Sequence, residues 1–265
     1  MKLIVFSDIH YCPKERYDRG FKRKLTECAE SLTKKLIKKI NEIKPDAVVI
    51  LGDYIEDLKD NELDKTNLKK IFSIIQTINV PYYLLSGNHD LRTLSNDDFK
   101  EIIGYKKLTF SKDIKGYHLV FLGLNSNDKL SEDHGGILKT RGLPEEDLEW
   151  LKNDLSTNSL PTLVFIHFGL AEDDMTGNWW FEAMPEHGLL LNRNEVKKIL
   201  EENGNILAVF SGHQHWTKTI IEKGIPYHVL GSLIENIDFS GKPDGVWFLV
   251  DTDKNGLEII EQHID

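Results

Sequence analysis

Hydrophobic residues along the chain form short runs that each end in polar residues. Within a run the apolar residues are consecutive rather than alternating, which is typical of strands covered on both faces. Such runs occupy residues 2–8, 46–53, 80–87, 117–125, 161–167 and 205–212. Four further runs, at 217–223, 225–231, 245–251 and 257–263, form two pairs. Each pair is joined by a turn that contains glycine, Lys223-Gly224 or Asn255-Gly256, and therefore predicts a β-hairpin.

Longer segments with a helical spacing of apolar residues lie between these runs. They predict helices at about 22–43, 62–78, 144–156 and 192–203. Asn192, followed three residues later by Glu195, predicts a capping box at the start of the last helix. The alternation of strands and helices predicts an α/β fold in which two sheets lie between outer helices.

The segments between the predicted strands and helices indicate how many domains the chain forms. The chain contains no segment rich in Pro, Gly and Ser that would divide it, so we expect a single domain over residues 1–265. Two segments, 125–143 and 168–191, show little regular pattern. Because long loops inside a compact domain are usually functional, we expect these two to form a cap that shapes a substrate site.

Charge and composition narrow the range of partners. The chain has 33 basic and 43 acidic side chains, a formal net charge of -10, which disfavours long nucleic acids and anionic membranes as partners. Cys12 and Cys28 provide no disulfide framework, which favours a reducing compartment. The apolar run at the N-terminus is too short for a signal peptide, and no stretch approaches the roughly 20 apolar residues of a membrane span. We therefore expect a cytoplasmic protein.

Residue types that bind metals stand where the predicted strands end. These residues are Asp8, His10, Asp53, Asn88, His89, Asp90, His167, His213 and His215. Ligands of open α/β sheets bind beyond the carboxyl ends of the strands, so the pattern directs all of these side chains to one place. Imidazole and carboxylate groups together suit Zn, Mn, Fe or Co. They are too many for one four-coordinate ion, whereas two ions that share a carboxylate would use them and could cleave a phosphoester through a shared hydroxide.

The order of these motifs resembles that of the calcineurin-like metallophosphoesterases. Asp-Ile-His, Gly-Asp, Gly-Asn-His-Asp, a lone His and Gly-His-Gln-His follow one another between residues 8 and 215. The resemblance implies a four-layer αββα sandwich of two mixed β-sheets flanked by helices. It also implies that one ion is bound by Asp8, His10 and His215, that the other is bound by Asn88, His167 and His213, and that Asp53 bridges the two. The same resemblance implies that His89 contacts the substrate, stabilises the transition state and protonates the leaving oxygen.

Several positions depart from the pattern of that family. Many relatives carry an aspartate three residues after the bridging aspartate, where this chain has Glu56, followed by Asp57. Which of the two orients His89 stays open. Asn125 stands where relatives commonly have an aspartate, and we interpret it, with Asp90 and Glu56, as a residue that supports the ligands. Cys12 follows His10 by two residues and is either close to the first ion or a plain loop cysteine.

The substrate contacts are the least specific part of the prediction. Trp179, Trp180 and Phe181 are consecutive, so they cannot share one face of a helix. They form a wall that stacks on a planar substrate group, fill a gap between loop and core, or make a dimer contact. Arg19 belongs to a basic stretch that either meets substrate phosphate or starts a solvated helix.

Two classes of function compete for this chain. The first is a dinuclear metal-dependent hydrolase of small phosphorylated substrates, including nucleotides: a phosphodiesterase or nucleotide pyrophosphohydrolase, with a phosphomonoesterase as the alternative. Segment 135–155 also resembles bacterial phosphodiesterases and ADP-ribose-type diphosphatases. Because His-His-Pro of cyclic-nucleotide enzymes is replaced by His-Phe-Gly at 167–169, cleavage of cyclic nucleotides is disfavoured.

The second class is a non-catalytic scaffold, which the complete ligand set disfavours. The identity of the metal pair and the oligomeric state stay open.

Overall fold

Two mixed β-sheets form the centre of the protein in the computed structural model, which describes residues 1–125, 142–253 and 256–264. The strands are β1 (Lys2–Phe6), β2 (Ala47–Ile50), β3 (Tyr82–Leu84), β4 (Phe110–Ile114), β5 (Tyr117–Leu122), β6 (Thr162–Ile166), β7 (Ile206–Ser211), β8 (Lys218–Glu222), β9 (Ile225–Val229), β10 (Val246–Asp253) and β11 (Gly256–His263). One sheet has the order β11-β10-β1-β2-β3 and the other β4-β5-β6-β7-β9-β8. The two predicted hairpins are present as β8–β9 and β10–β11.

Helices pack on the outer faces of the sheets. They are α1 (Ala29–Ile43), α2 (Asn61–Ile75), α3 (Asn96–Ile103), α4 (Glu145–Thr157) and α5 (Arg193–Asn203). The helix predicted from residue 22 begins later, because the backbone of segment 23–25 bonds to another loop instead. Leu25 N–H donates to the carbonyl of Ile234 (3.0 Å), and Asn236 N–H donates to that of Arg23 (2.7 Å). The short elements β4 and α3 were not predicted.

The prediction of a capping box at Asn192 is wrong. The amide oxygen of Asn192 accepts from Leu143 N–H (3.0 Å), and its amide nitrogen donates to the carbonyl of Leu143 (2.9 Å). The side chain therefore links the start of α5 to the residues just before α4. A capping box does occur at α3, where Ser95 and Asp98 each accept from the backbone N–H of the other.

Each central strand contributes its side chains to two separate apolar cores. In β1, Leu3 and Val5 point into the core between the sheets, whereas Ile4 and Phe6 point into the core beneath the helices. All four are completely buried. Both faces of the strand are therefore covered, as its consecutive apolar residues predict. The two sheets with their outer helices confirm the four-layer αββα sandwich that the family resemblance implies.

The carboxyl ends of the parallel strands meet where the two sheets adjoin. Strands β1, β2 and β3 run parallel in one sheet, as do β5, β6, β7 and β9 in the other. Backbone bonds join the chain beyond these ends: Asp8 N–H donates to Gly52 O (3.1 Å), and Gly212 N–H donates to His167 O (3.0 Å). Leu233 N–H donates to Ser7 O (3.2 Å) and thereby connects the two sheets.

The two expected cap segments differ in how much can be described. Most of 125–143 lies outside the described residues. Segment 168–191 is described; it contains a short 3-10 turn at Pro185–Gly188, and Leu190 N–H donates to Gly169 O (2.9 Å). Among the described residues, no helix combines the length and apolar character needed to cross a membrane.

Candidate dinuclear metal centre

The backbone at the strand ends adopts an uncommon conformation. Asp8, His10, Asp53, His213 and His215 all have positive φ angles, between 44° and 65°. For a residue with a side chain, this region costs about 1–2 kcal/mol. Such strain persists where the surrounding structure fixes it, and it is concentrated at functional sites. Here it turns the chain sharply after each strand.

Asp8, His10 and His215, which we name the first cluster, point their ring nitrogens and one carboxylate oxygen at each other. The Nε2 atoms of His10 and His215 are 3.0 Å apart. Asp8 Oδ1 lies 3.3 Å from His215 Nε2 and 3.6 Å from His10 Nε2, and it has no hydrogen-bond partner in the described part of the chain. Ligand atoms at about 2.1 Å from one ion lie roughly 3 Å apart, so this spacing fits a bound cation.

Asp53, Asn88, His167 and His213, which we name the second cluster, come together beside the first. His167 Nε2 lies 3.3 Å from Asp53 Oδ2 and 3.1 Å from Asn88 Oδ1. His213 Nε2 donates to the carbonyl of His187 (3.0 Å), which leaves Nδ1 to face the cluster. The potential ligand atoms of Asp53, His167 and His213 lie within 4.8 Å of one another.

Asp53, although it belongs to the second cluster, also faces the first. Its Oδ2 is 3.3 Å from His167 of the second cluster and 3.6 Å from His10 of the first, and it has no hydrogen-bond partner among residues 1–125, 142–253 and 256–264. Its Oδ1 accepts from His89 N–H (2.8 Å). One oxygen is thus fixed by the backbone and the other is directed at both sets of imidazoles, so the residues present fit a pair of cations with a shared carboxylate.

The pKa values of the cluster residues also indicate a site that attracts cations. Burial by itself would lower the histidine pKa values, but Asp53 raises the pKa of His167 to about 9, and Asp8 raises that of His215 to about 10. Burial by itself would raise the pKa of Asp53, yet the charges of His167 and His89 hold it well below its usual range. Buried carboxylates therefore create a negative potential that attracts positive charge to this centre.

Two acceptors outside the clusters orient imidazole rings by hydrogen bonds. Glu235 Oε2 accepts from His215 Nδ1–H (2.9 Å), and the carbonyl of Leu51 accepts from His167 Nδ1–H (2.9 Å). Glu56 Oε2 lies 3.0 Å from His10 Nδ1 as an ion-pair contact. An acceptor at Nδ1 fixes the tautomer that leaves the lone pair on Nε2 free, as metal-binding histidines require.

Asp57 resolves the question of which acid orients His89. His89 Nδ1–H donates to Asp57 Oδ1 (2.7 Å), which also accepts from Arg92 (2.8 Å). Glu56 is farther from this ring, at 3.8 Å, and instead approaches His10. The Nε2 atom of His89 is left to face the cavity.

Different surroundings are found for the two remaining predicted support residues, Asp90 and Asn125, and for Cys12. The Asp90 carboxylate accepts from the backbone N–H groups of Asp53 (2.9 Å), Tyr54 (2.8 Å) and Gly87 (2.8 Å), so it holds the Asp53 turn in place. Burial, together with the charge of Asp53, raises the pKa of Asp90 to about 7. Asn125 donates to Asp147 (2.8 Å) on α4. Burial raises the pKa of the Cys12 thiol, which disfavours a thiolate there.

A cavity of about 260 Å³ opens above the two clusters. It is lined by Arg16, Asp18, Lys24, Asp53, Asn88, His89, Arg92, Phe168, Trp180, Phe181, His187, His213 and His215. Of the predicted substrate contacts, Trp180 lines this cavity, whereas Trp179 and Arg19 do not. Arg19 lies 4.9 Å from the Trp179 ring centre and donates to the Trp179 carbonyl (3.0 Å), so the two residues pair with each other outside the cavity.

Sequence reasoning missed Lys24 and Glu235. Lys24 is buried at the cavity and donates to Glu56 (2.5 Å). Glu235 comes soon after the apolar run 225–231, just as the recognised metal-binding motifs come after their strands. This position after a strand could have marked Glu235 as a candidate site residue. The sequence could not single out Lys24, because it is one of several neighbouring lysines and arginines and nothing in the pattern shows which of them is buried at the site.

Comparisons with known proteins agree with this geometry. The sequence profile described as calcineurin-like phosphoesterase matches residues 1–217. A probable glycerophosphodiester phosphodiesterase from Arcobacter nitrofigilis is 29% identical over 67% of this chain and 62% of its own length. A probable cyclic nucleotide phosphodiesterase from Psychrobacter arcticus is 22% identical over 74% of this chain and 65% of its own length. The chain thus spans less than two thirds of each of these relatives.

A solved structure shares the fold over its full length. The crystal structure of a dimetal phosphatase from Danio rerio superposes with a TM-score of 0.75, covering 100% of this chain and 99% of the other at 15% identity. The profile match extends over most of the chain and includes every residue of both clusters. The chain therefore belongs to the calcineurin-like phosphoesterase family.

Proposed function

We propose that this protein hydrolyses phosphodiester bonds in small substrates with a pair of metal ions. The observation that carries the proposal is the position of Asp53, whose free carboxylate oxygen lies between His10 (3.6 Å) and His167 (3.3 Å). A carboxylate shared by two sets of imidazoles is the arrangement that two ions about 3.5–4 Å apart require.

In this proposal the first cluster holds one ion, the second cluster holds the other, and Asp53 binds both. Ions held by these residues would supply positive charge that stabilises the phosphoryl oxygens and would activate a water as the nucleophile at neutral pH. Mn, Fe, Zn and Co all accept these ligands, and their supply decides between them.

His89 has a separate part that does not involve binding an ion. Because Asp57 accepts from Nδ1–H (2.7 Å), the Nε2 atom is directed to the substrate. There it donates a proton to the leaving oxygen, while Asp57 stabilises the charged form of the ring. Arg92, also bound to Asp57 (2.8 Å), limits the movement of this pair.

The charges around the cavity favour a phosphodiester over a phosphomonoester. Each cation that lines the cavity is already matched with an acid of its own: Lys24 with Glu56 (2.5 Å), Arg92 with Asp57 (2.8 Å), and Arg16 with Asp18 (3.5 Å). Little uncompensated positive charge remains outside the ion sites. A singly charged diester therefore fits better than a doubly charged monoester. The names of the two sequence relatives support the same choice.

Segment 168–191 is proposed to shape the substrate site, because Phe168, Trp180, Phe181 and His187 from it line the cavity. The aromatic side chains offer an apolar wall for the substituent of a diester. A nucleotide pyrophosphate, which also presents an internal phosphate bond, is the second substrate class to test.

The test compares two substrates with the same leaving group. The full chain is assayed with bis-p-nitrophenyl phosphate and p-nitrophenyl phosphate in Mn²⁺, Fe²⁺, Zn²⁺ or Co²⁺, with and without EDTA, and then with nucleotide mono-, di- and pyrophosphates. We expect EDTA-sensitive turnover and a kcat/KM at least about tenfold higher for the diester. Faster turnover of the monoester would contradict the diester assignment, and absence of turnover with all four metals would contradict the catalytic one.

A further inference from the structure

Glu235 is a buried acid that contacts both the first cluster and the wall of the cavity. Its side chain is 0% exposed. Oε2 accepts from His215 Nδ1–H (2.9 Å), and Oε1 accepts from Arg23 Nε–H (2.7 Å) and from the Trp180 indole N–H (3.1 Å). It lies beyond residues 1–217, the part of the chain that the family profile matches.

We infer that Glu235 is a positioning residue that holds both His215, a ligand of the first ion, and Trp180, which faces the substrate. The inference rests on the proposed function, since it assumes that the first cluster holds an ion. Through His215, the carboxylate fixes the ring orientation and keeps Nε2 available as a ligand. Through the indole N–H, the same carboxylate fixes the edge of the cavity wall.

The geometry leaves the carboxylate little freedom to serve one contact without the other. The rings of Trp180 and His215 are 5.7 Å apart at an angle of 73°, and Lys24 lies 5.1 Å from the Trp180 ring centre on its face. Arg23 balances the charge of Glu235 at 2.7 Å. A change in the position of the Glu235 carboxylate would therefore alter its contacts with both His215 and Trp180.

The backbone around Glu235 is anchored to the first cluster. Ser232 Oγ–H donates to the carbonyl of Asp8 (2.9 Å), and Asn236 N–H donates to that of Arg23 (2.7 Å). The carbonyl of Glu235 accepts from Asp244 N–H (2.7 Å). Because the residues on both sides of Glu235 form hydrogen bonds, the backbone fixes the position from which its side chain reaches His215 and Trp180.

Two substitutions separate the two contacts. Glu235→Gln keeps the shape of the side chain but removes the charge and one of the two acceptors. Trp180→Phe removes the indole N–H and leaves Glu235 and His215 intact. We expect Glu235→Gln to weaken one of two Mn²⁺ sites by about 10–100-fold, the usual effect of losing a support to a metal-binding histidine. We expect Trp180→Phe to leave both Mn²⁺ affinities within about twofold of wild type and to raise KM.

The measurement is calorimetric titration of the metal-free full chain with Mn²⁺, followed by kinetics on bis-p-nitrophenyl phosphate at saturating Mn²⁺. Because the two residues act through one contact, the effects of Glu235→Gln and Trp180→Phe on KM should not multiply in the double variant. A role limited to stability would lower the Tm without producing this non-additivity. Should Glu235→Gln fail to fold, Glu235→Asp, which keeps the charge but shortens the reach, is expected to show the same loss of Mn²⁺ affinity.

The inference is overturned if the Glu235 variant binds both Mn²⁺ ions with wild-type affinity, or if the two effects on KM multiply independently. These results differ from a failure of the proposed function. In that case the wild-type chain itself would bind no pair of Mn²⁺ ions or would not turn over the diester.

Discussion

Asp53 is the residue on which the proposed pair of ions depends. Its Oδ1 is fixed by His89 N–H, and its backbone N–H is fixed by Asp90, so the carboxylate is set in place before any cation arrives. Its Oδ2 faces both clusters. A ligand held in advance loses little conformational entropy on binding, which increases its affinity for the ion.

Replacing this carboxylate should therefore remove at least one ion. We expect Asp53→Ala to bind fewer than two Mn²⁺ ions per chain, as measured by elemental analysis after dialysis. Asp60→Ala is the matched control, because Asp60 caps the exposed start of α2 and contacts neither cluster. That control should keep both ions while losing about 1 kcal/mol of stability. Two ions retained in Asp53→Ala would rule out the bridging role.

His89 should affect the reaction rate without affecting the ions. We expect His89→Ala to bind two Mn²⁺ ions and to lose about 10²–10⁴-fold in kcat for a diester, the usual contribution of a general acid. His263→Ala is the control, since His263 is exposed at the end of β11, and its kcat should stay within about twofold of wild type. Loss of an ion from His89→Ala would show that His89 is itself a ligand.

At the scale of the elements, the turns after β2 and β3 pack without room for a side chain. A Cβ at Gly87 would overlap the carboxylate and backbone nitrogen of Asp53, and one at Gly52 would overlap the backbone of Gly87. Glycine at both positions lets the two turns touch. The close approach places Asp53 and Asn88, from different strands, in the same cluster.

A side chain at Gly87 should disrupt the centre. We expect Gly87→Ala to lower the Tm and to bind fewer than two Mn²⁺ ions, because the Asp53 turn must move. Gly116→Ala provides the comparison: Gly116 has a φ of +82° in the β4–β5 turn, and no described atom lies within 4 Å of an added Cβ. The control should lose roughly 1 kcal/mol through backbone strain alone and keep its activity. Equal Mn²⁺ binding by both variants would contradict the crowding argument.

At the scale of the whole molecule, the protein carries a formal charge of -10 and concentrates carboxylates in a buried centre. Asp8, Asp53, Glu56 and Glu235 are all nearly inaccessible to solvent. Buried charges are costly unless they are paired, and here His167 and His215 lie beside the carboxylates of Asp53 and Asp8. Cations bound only by the folded state would therefore stabilise the whole fold.

Metal removal should consequently lower the thermal stability. An ion at about 1,000 times its Kd contributes about 4 kcal/mol, so saturating Mn²⁺ should raise the Tm of the metal-free chain by about 10 °C or more. Excess EDTA should reverse the shift in a thermal denaturation scan. Asp53→Ala should show a smaller shift than the wild-type chain. An unchanged Tm with Mn²⁺ would contradict ion binding at the buried centre.

The amino-acid pattern was enough to predict the layers of the fold and the position of the metal-binding residues at the strand ends. Consecutive apolar residues in 2–8 and 46–53 required strands covered on both faces, and polar groups such as Asp8 and Asp53 could stand only where those strands leave the core. Both features are local, because they depend on how a few neighbouring residues tolerate burial. The short elements α3 and β4 were not predicted, because each contains too few apolar residues to show a helical or strand periodicity.

Contacts between residues far apart in the chain could be read only from the folded structure. The choice of Asp57 over Glu56 as the partner of His89, the link from Glu235 to His215 and Trp180, and the position of Trp180 on the cavity all depend on segments far apart in the chain. Differences of an ångström between the approaching side chains decide such contacts. Spacing along the sequence does not encode these differences, because they arise from the packing of the two sheets and their loops.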